Sequence, residues 1–138
     1  MFEFRKLLVP FYSGFAFNRF IKKKYSRAIP LFMRIIYLDS GHPNLRYIYS
    51  CLGRCFLEVG EYNEALKTLS KSYDLYNENL SLLDNFGLKE YSQLLKSYIK
   101  ILTYFNMMEK AEKIRKEFNE IDQVINRFTE SSQYEKRK

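Results

Sequence analysis

From Arg46 onward the apolar residues fall at Ile48, Leu52, Cys55, Phe56 and Val59. The spacing i, i+4, i+7, i+8, i+11 is one stripe of an α-helix. Gly60 closes it, because glycine takes positive φ without a Cβ penalty. A second stripe starts at Tyr62 and runs through Ala65, Leu66, Leu69 and Tyr73, with Lys67, Ser70, Lys71 and Asp74 on the opposite side. Asn44, after Pro43, is the expected N-cap of the first helix, and residues 40–43 read as a linker. Residues 46–76 therefore predict two helices folded back on each other across Gly60-Glu61-Tyr62.

Weaker copies flank this unit. Upstream, KYSRAIPLFMRIIYL places Tyr25, Ala28, Phe32 and Ile35 where the central unit has Tyr62, Ala65, Leu69 and Ser72. Downstream, NMMEKAEKIRKEF places Met108, Ala111 and Phe118 in the same pattern. Ser26 is the expected N-cap of the upstream copy, with Pro30 at its fourth helical position, where the missing N–H costs little. The helix before it, residues 11–21, is apolar almost all round. The last helix continues through Ala111, Ile114, Phe118, Ile121, Ile125 and Phe128, a heptad-like stripe. One long helix packed on the preceding ones is the favoured reading, and a coiled-coil dimer the alternative. After Phe128 the chain is polar and expected to lack regular structure.

The central unit resembles the tetratricopeptide repeat, a helix-turn-helix module of about 34 residues. Leu52 and Gly53 fall on the family's Leu-Gly pair, Tyr49 replaces its Trp, and Phe56 its Tyr. Ala65 is the small residue of the second helix, Leu69 takes the aromatic position, and Ser72 the second small one. Asn77 stands where a closing proline is expected. Gly53 and Ala65 let two helix backbones approach closely. In the first copy either Gly14 or Ala16 takes the glycine position. In the third it is Ile99, so those helices are expected further apart. The three alanines lie 37 and 46 residues apart. Against a module of about 34 residues this leaves insertions of about 3 and about 12, which fit residues 40–43 and 77–88.

The resemblance covers roughly residues 11–120. It implies an all-α fold, a right-handed helical repeat array (an α-α superhelix) closed by a long C-terminal helix. One domain is expected over residues 1–129, with repeats at about 9–39, 46–77 and 92–121, and a flexible polar tail over 130–138. In such arrays ligands lie along the concave groove built by the first helix of each repeat. Carried over position by position, the groove residues are Tyr47, Ser50, Cys51, Arg54 and Glu58, then Gln93, Lys96, Ser97 and Lys100. Lys96 and Lys100 are one helical turn apart, so both ammonium groups can reach one carboxylate. In some family members basic residues at these positions grip a C-terminal carboxylate. The rest of that clamp is missing: Cys51 stands where Asn is expected, and Ser13 and Phe17 where Lys and Asn are expected.

Composition narrows the picture further. Five glycines and three prolines in 138 residues disfavour short strands joined by tight turns. A hydrophobic content of 46% suits a folded globule. The formal net charge is +7, read as spread along most of the chain and therefore as the solubility of a lysine-rich protein. The densest run holds Arg19, Lys22, Lys23, Lys24 and Arg27, which as a site would face phosphate or acidic lipid. Cys51 and Cys55 share a helical face at a spacing that does not suit a disulfide, and read as buried thiols. His42 is the only histidine and sits in a linker. No glycine-rich phosphate loop or oriented nucleophile–base set marks catalysis, and no cofactor or metal is expected.

The N-terminus is cut by Glu3, Arg5, Lys6 and Pro10, so no secretory signal or membrane span is read there, and a cytoplasmic protein is expected. The favoured function is non-catalytic binding of a dedicated protein partner with an acidic segment, as an adaptor, a secretion chaperone or a toxin-neutralising immunity protein. Partner-binding residues are expected at Tyr47, Ser50, Arg54, Gln93, Lys96 and Lys100. The alternatives are a nucleic acid or anionic surface at the basic turn, with nucleic acid the less favoured, or a homodimer through the apolar first helix. Residues 2–9 folding over that helix would remove the last alternative.

Overall fold

The computed structural model describes residues 4–137. Six α-helices follow one another: α1 (Val9–Ile21), α2 (Tyr25–Leu38), α3 (Leu45–Val59), α4 (Tyr62–Glu78), α5 (Asn85–Tyr104) and α6 (Met108–Lys136). Short 3-10 segments precede α1 at Phe4–Leu8 and α5 at Leu80–Leu82. No strand occurs among the described residues, so the chain is all-α. It divides into two compact units, one up to Leu75 and one from Tyr76, with the boundary inside α4.

In the first unit α2 packs on α1 and α3. The sequence-predicted small positions are buried, and at Gly53 a neighbouring helix comes close. Gly53 is buried, and a Cβ built there would sit 2.6 Å from Cγ and Cδ2 of Leu69 and 3.3 Å from its backbone nitrogen. No side chain fits that gap unless α4 shifts. Ala28 and Ala65 have no exposed surface. Ala16 is equally buried, whereas a Cβ on Gly14 would meet nothing within 4 Å. Ala16, then, is the close-packed small residue of α1. Ser72, whose position is also small, donates from Oγ to the backbone oxygen of Arg46 at 2.7 Å and ties α4 to the start of α3.

The second unit is built on α5 and α6 packed together. Asp84 caps α5, accepting from the Gly87 N–H at 2.7 Å. Tyr91 is fully buried; its hydroxyl donates to Glu117 Oε2 at 3.1 Å and accepts from Asn77 Nδ2 at 3.3 Å. Its ring packs on Tyr76 at 5.2 Å. Along α6 burial fades: Ala111 and Ile114 are buried, Phe118, Ile121 and Ile125 half-buried, and Phe128 is 50% exposed. With a rise of about 1.5 Å per residue, α6 is about 43 Å long and α5 about 30 Å, so the end of α6 outruns its support.

Three turns recur in detail. Lys23, Gly60 and Asn106 have φ of 61°, 83° and 62°, and each lies five residues before the buried alanine of the following helix. In each turn the next residue's N–H reaches five residues back: Lys24 to Arg19 O at 2.8 Å, Glu61 to Phe56 O at 2.9 Å, Met107 to Leu102 O at 2.9 Å. That bond is the Schellman closure of a helix. Each alanine N–H then bonds the oxygen four residues earlier, in Lys24, Glu61 and Met107. Three helix pairs are thus joined by one turn geometry written in three chemistries.

Several expectations need correction. Helix α2 begins at Tyr25, with Lys24 as its N-cap, so Pro30 is its sixth residue, not its fourth. There it removes one backbone bond from the helix interior. Asn44 is the N-cap of α3, but its side chain makes no cap bond; instead its N–H donates to His42 Nδ1 at 3.0 Å. Of the residues expected in the 77–88 insertion, half are α-helical, 77–78 closing α4 and 85–88 opening α5, with the 3-10 segment Leu80–Leu82 between them. Helix α6 runs to Lys136 where a tail without regular structure was expected. Glu130, Gln133, Glu135 and Lys136 are good helix formers that propagate an existing helix without needing to be buried.

Candidate functional site

The six residues expected at a partner surface fall into two groups with different environments. In the first unit Tyr47 is half-buried and stacks on Phe17 at 5.5 Å with planes 12° apart. The Arg54 guanidinium lies over the Phe20 ring at 4.9 Å. Both are α1–α3 packing contacts, with a cation–π component at Arg54. Phe17 and Phe20 in turn meet Phe32 edge-on at 5.1 and 6.2 Å. Ser50 is 1% exposed, and Cys51, also a groove position by resemblance, is fully buried. The side chains read as open contacts are thus largely engaged in holding α1 against α3. The missed signal was the aromatic content of residues 11–21, which predicts ring partners on α3.

In the second unit the groove positions divide: Ser97 is buried and the other three are open. Gln93, Lys96 and Lys100 are exposed, and Lys89 extends their spacing by one turn. The stripe Lys89, Gln93, Lys96, Lys100 alternates steps of four, three and four, so it is one helical face. Between and just after these positions Leu94, Leu95, Ser97, Tyr98 and Ile101 are buried, on a helix that packs on α6. Among the described residues neither Lys96 nor Lys100 enters an ion pair. Near the start of α5, a depression of about 290 Å³ opens against the end of α6, lined by Lys89, Ile125, Phe128 and Lys136 among others.

The basic turn is exposed at Lys22, Lys23, Lys24 and Arg27, while Arg19 is half-buried and donates to Asn18 Oδ1 at 3.1 Å. Mapping charge along the helices corrects the reading of an evenly spread excess. Residues 4–38 carry eight lysines and arginines and no acidic residue; residues 39–138 carry fifteen of each sign. Glu3 being the only acid before Asp39, the whole net charge of +7 arises in the first 38 residues.

Cys51 and Cys55 are buried free thiols. Burial pushes the Cys55 thiol up to about 12, against a lowering influence of Arg54 and a smaller raising one from Glu58. A thiol held protonated at neutral pH is a poor nucleophile and a poor metal ligand. His42 is tied into its turn by the Asn44 N–H.

Compared with family models, curated proteins and solved structures, the chain gives no match. The functional reading therefore rests on the residues and their geometry.

Proposed function

We propose that the chain is a non-catalytic protein-binding module that takes an acidic segment of a dedicated partner on the exposed face of α5. The observation that carries this reading is the Gln93, Lys96, Lys100 face. Two ammonium groups one turn apart stand in water without carboxylate partners, on a helix whose opposite side is locked in the core. Such a pair can close on one carboxylate, with Gln93 offering both a donor and an acceptor beside it. The tetratricopeptide-like reading of the chain is supported by the recurrence of one turn geometry at Lys23, Gly60 and Asn106, and by the close approach at Gly53. An adaptor, a secretion chaperone and an immunity protein all suit this reading.

Charge reversal tests it. Lys96→Glu with Lys100→Glu should leave the helical signal intact, because both side chains are exposed, and should abolish capture of the partner that the unaltered chain retains from its native cell. Reversing two contacts of about 1 kcal/mol each corresponds to a loss of roughly 30-fold or more in affinity. Retention of the same protein at equal yield by the reversed variant would sink the proposal.

A further inference from the structure

The 37-residue offset that places Ala28 on Ala65 also places Phe11, Gly14, Phe15 and Asn18 of α1 on Ile48, Cys51, Leu52 and Cys55 of α3. On α3, which packs on α2, those four are buried. On α1 the corresponding four are exposed, and with Pro10 and Arg19 they line a depression of about 490 Å³. Phe11 is 68% and Phe15 57% exposed. The 3-10 segment at Phe4–Leu8 does not cover them and is itself exposed throughout; residues 2 and 3, the rest of the expected cover, lie outside the described residues. Helix α1 thus carries the apolar chemistry of a covered face with that face bare.

Packing of the kind that α2 gives α3 would account for only part of this surface. Ile21 stands in register with Glu58, a residue that faces water on α3, and yet Ile21 is 76% exposed. Phe4, Leu7 and Leu8 extend the bare apolar surface beyond the N-terminal end of α1. Isolated exposed apolar residues are ordinary, but a run of this length marks an interaction surface. Around it lie Arg5 at one end, beside Lys6, which pairs with Asp39 at 3.9 Å, and Arg19, Lys22, Lys23 and Lys24 at the other, with no acidic residue between 4 and 38.

We propose that α1 and the 3-10 segment before it seat on an anionic lipid bilayer, a role separate from the α5 face. Phe4, Leu7, Leu8, Phe11, Phe15 and Ile21 enter the headgroup–acyl boundary, and the flanking cations meet acidic headgroups. An apolar face joined to a polybasic cluster supplies the two signals that stable surface anchoring needs. No described helix is long and apolar enough to cross a membrane, so the contact is one of surface seating. A second copy of the chain fits less well, since a two-fold contact would set one acid-free, eight-cation segment against another. Nucleic acid would use the cations but gain nothing from Leu7, Leu8 and Ile21. A single acidic helix would cover Phe11 and Phe15 but leave Phe4, Leu7 and Ile21 in water.

The test is co-sedimentation of the full chain with vesicles of phosphatidylcholine alone and of phosphatidylcholine with roughly a third phosphatidylserine. Binding to the anionic vesicles should exceed binding to the neutral ones by at least ~10-fold and weaken with salt. Phe11→Ser with Phe15→Ser, and separately Lys22→Gln with Lys24→Gln, should each lower it roughly 10-fold or more with the circular dichroism unchanged. The chain has no tryptophan, so Phe15→Trp gives a conservative single probe whose emission should move to the blue only with anionic vesicles. Equal or absent binding to the two vesicle types, or an unshifted emission from the Phe15→Trp variant, overturns the proposal. So does a dimer in sedimentation that the Phe11 and Phe15 substitutions dissociate while vesicle binding is absent, which would make the face a self-association interface.

Discussion

Helices α1 and α3 are built on the same register and lead opposite lives. Both precede a turn with one left-handed residue, and both place a small residue twelve positions before a buried alanine: Ala16 before Ala28, Gly53 before Ala65. On α3 the stripe Ile48, Cys51, Leu52, Cys55 is buried; on α1 the stripe Phe11, Gly14, Phe15, Asn18 is open. Hydrophobicity alone does not distinguish them, since the open stripe of α1 carries two phenylalanines. Coverage by a packed neighbour does. The lesson is that an apolar stripe states what a helix can bury, while its place in the chain of packed helices decides whether it does.

The sharpest way to break this comparison is thiol chemistry, with the largest expected effect. Cys51 and Cys55 should react with a soluble thiol reagent only through opened molecules, slower than a free thiol by at least ~10³-fold for a domain of ordinary stability. A cysteine placed on the equivalent α1 position, Gly14→Cys, should react at close to the free-thiol rate. Equal rates for all three would erase the distinction between the two helices. The same burial has a pH consequence. A thiol ionises near about 8.5 when unfolded, while folded Cys55 is held up to about 12. The unfolded chain therefore loses this proton first, and stability present below pH ~8.5 falls as pH rises through the folded value. Cys55→Ala or Cys55→Ser should flatten that alkaline slope in denaturation measured from about pH 8 upward.

Next in size is the small-residue position. Gly53→Ala puts a Cβ 2.6 Å from two Leu69 side-chain atoms, and should cost about 1–3 kcal/mol in urea denaturation as α4 is pushed away. The equivalent residue of α1 is already alanine, and α2 accommodates it. A neutral Gly53→Ala would mean that α4 yields freely, and the close approach would lose its structural meaning.

Helix stripes were readable because Ile48 to Val59 and Ala111 to Phe128 repeat at helical spacing, and that spacing is a local property. The Gly60 cap was readable because glycine advertises a left-handed residue. The matching caps at Lys23 and Asn106 were not, since lysine gives no such signal and asparagine only a weak one; what holds them is the bond pattern of the turn. Of the site, Lys96 and Lys100 came from the resemblance alone, and both are exposed, whereas Ser97, placed by the same resemblance, is buried. The burial of Ser50 and the ring partners of Tyr47 and Arg54 were not legible, because they depend on which helix lies opposite. The end of α6 was missed for a related reason: its polar residues promise nothing about packing, and a helix already formed extends through them at little cost.

The smallest effects separate the turns themselves. Gly60→Ala meets no neighbouring atom, so it costs what forcing an L-residue to φ near 83° costs, about 1–2 kcal/mol, less about 0.5–1 kcal/mol from the stiffer unfolded chain. Lys23 already carries that cost at φ 61°. Lys23→Gly relieves about 1–2 kcal/mol of it but adds about 0.5–1 kcal/mol of chain freedom to the unfolded state. The net is a gain of about 0.5 kcal/mol, readable as a small rise in the denaturation midpoint with an unchanged slope. The two substitutions thus have opposite signs at one geometry. If Lys23→Gly instead destabilises the chain, the lysine is held there by something other than backbone closure, and the three turns are alike only in shape. If it stabilises as expected, the first turn holds a strained cation where glycine would be easier, in the middle of the acid-free segment whose charge the bilayer experiment probes.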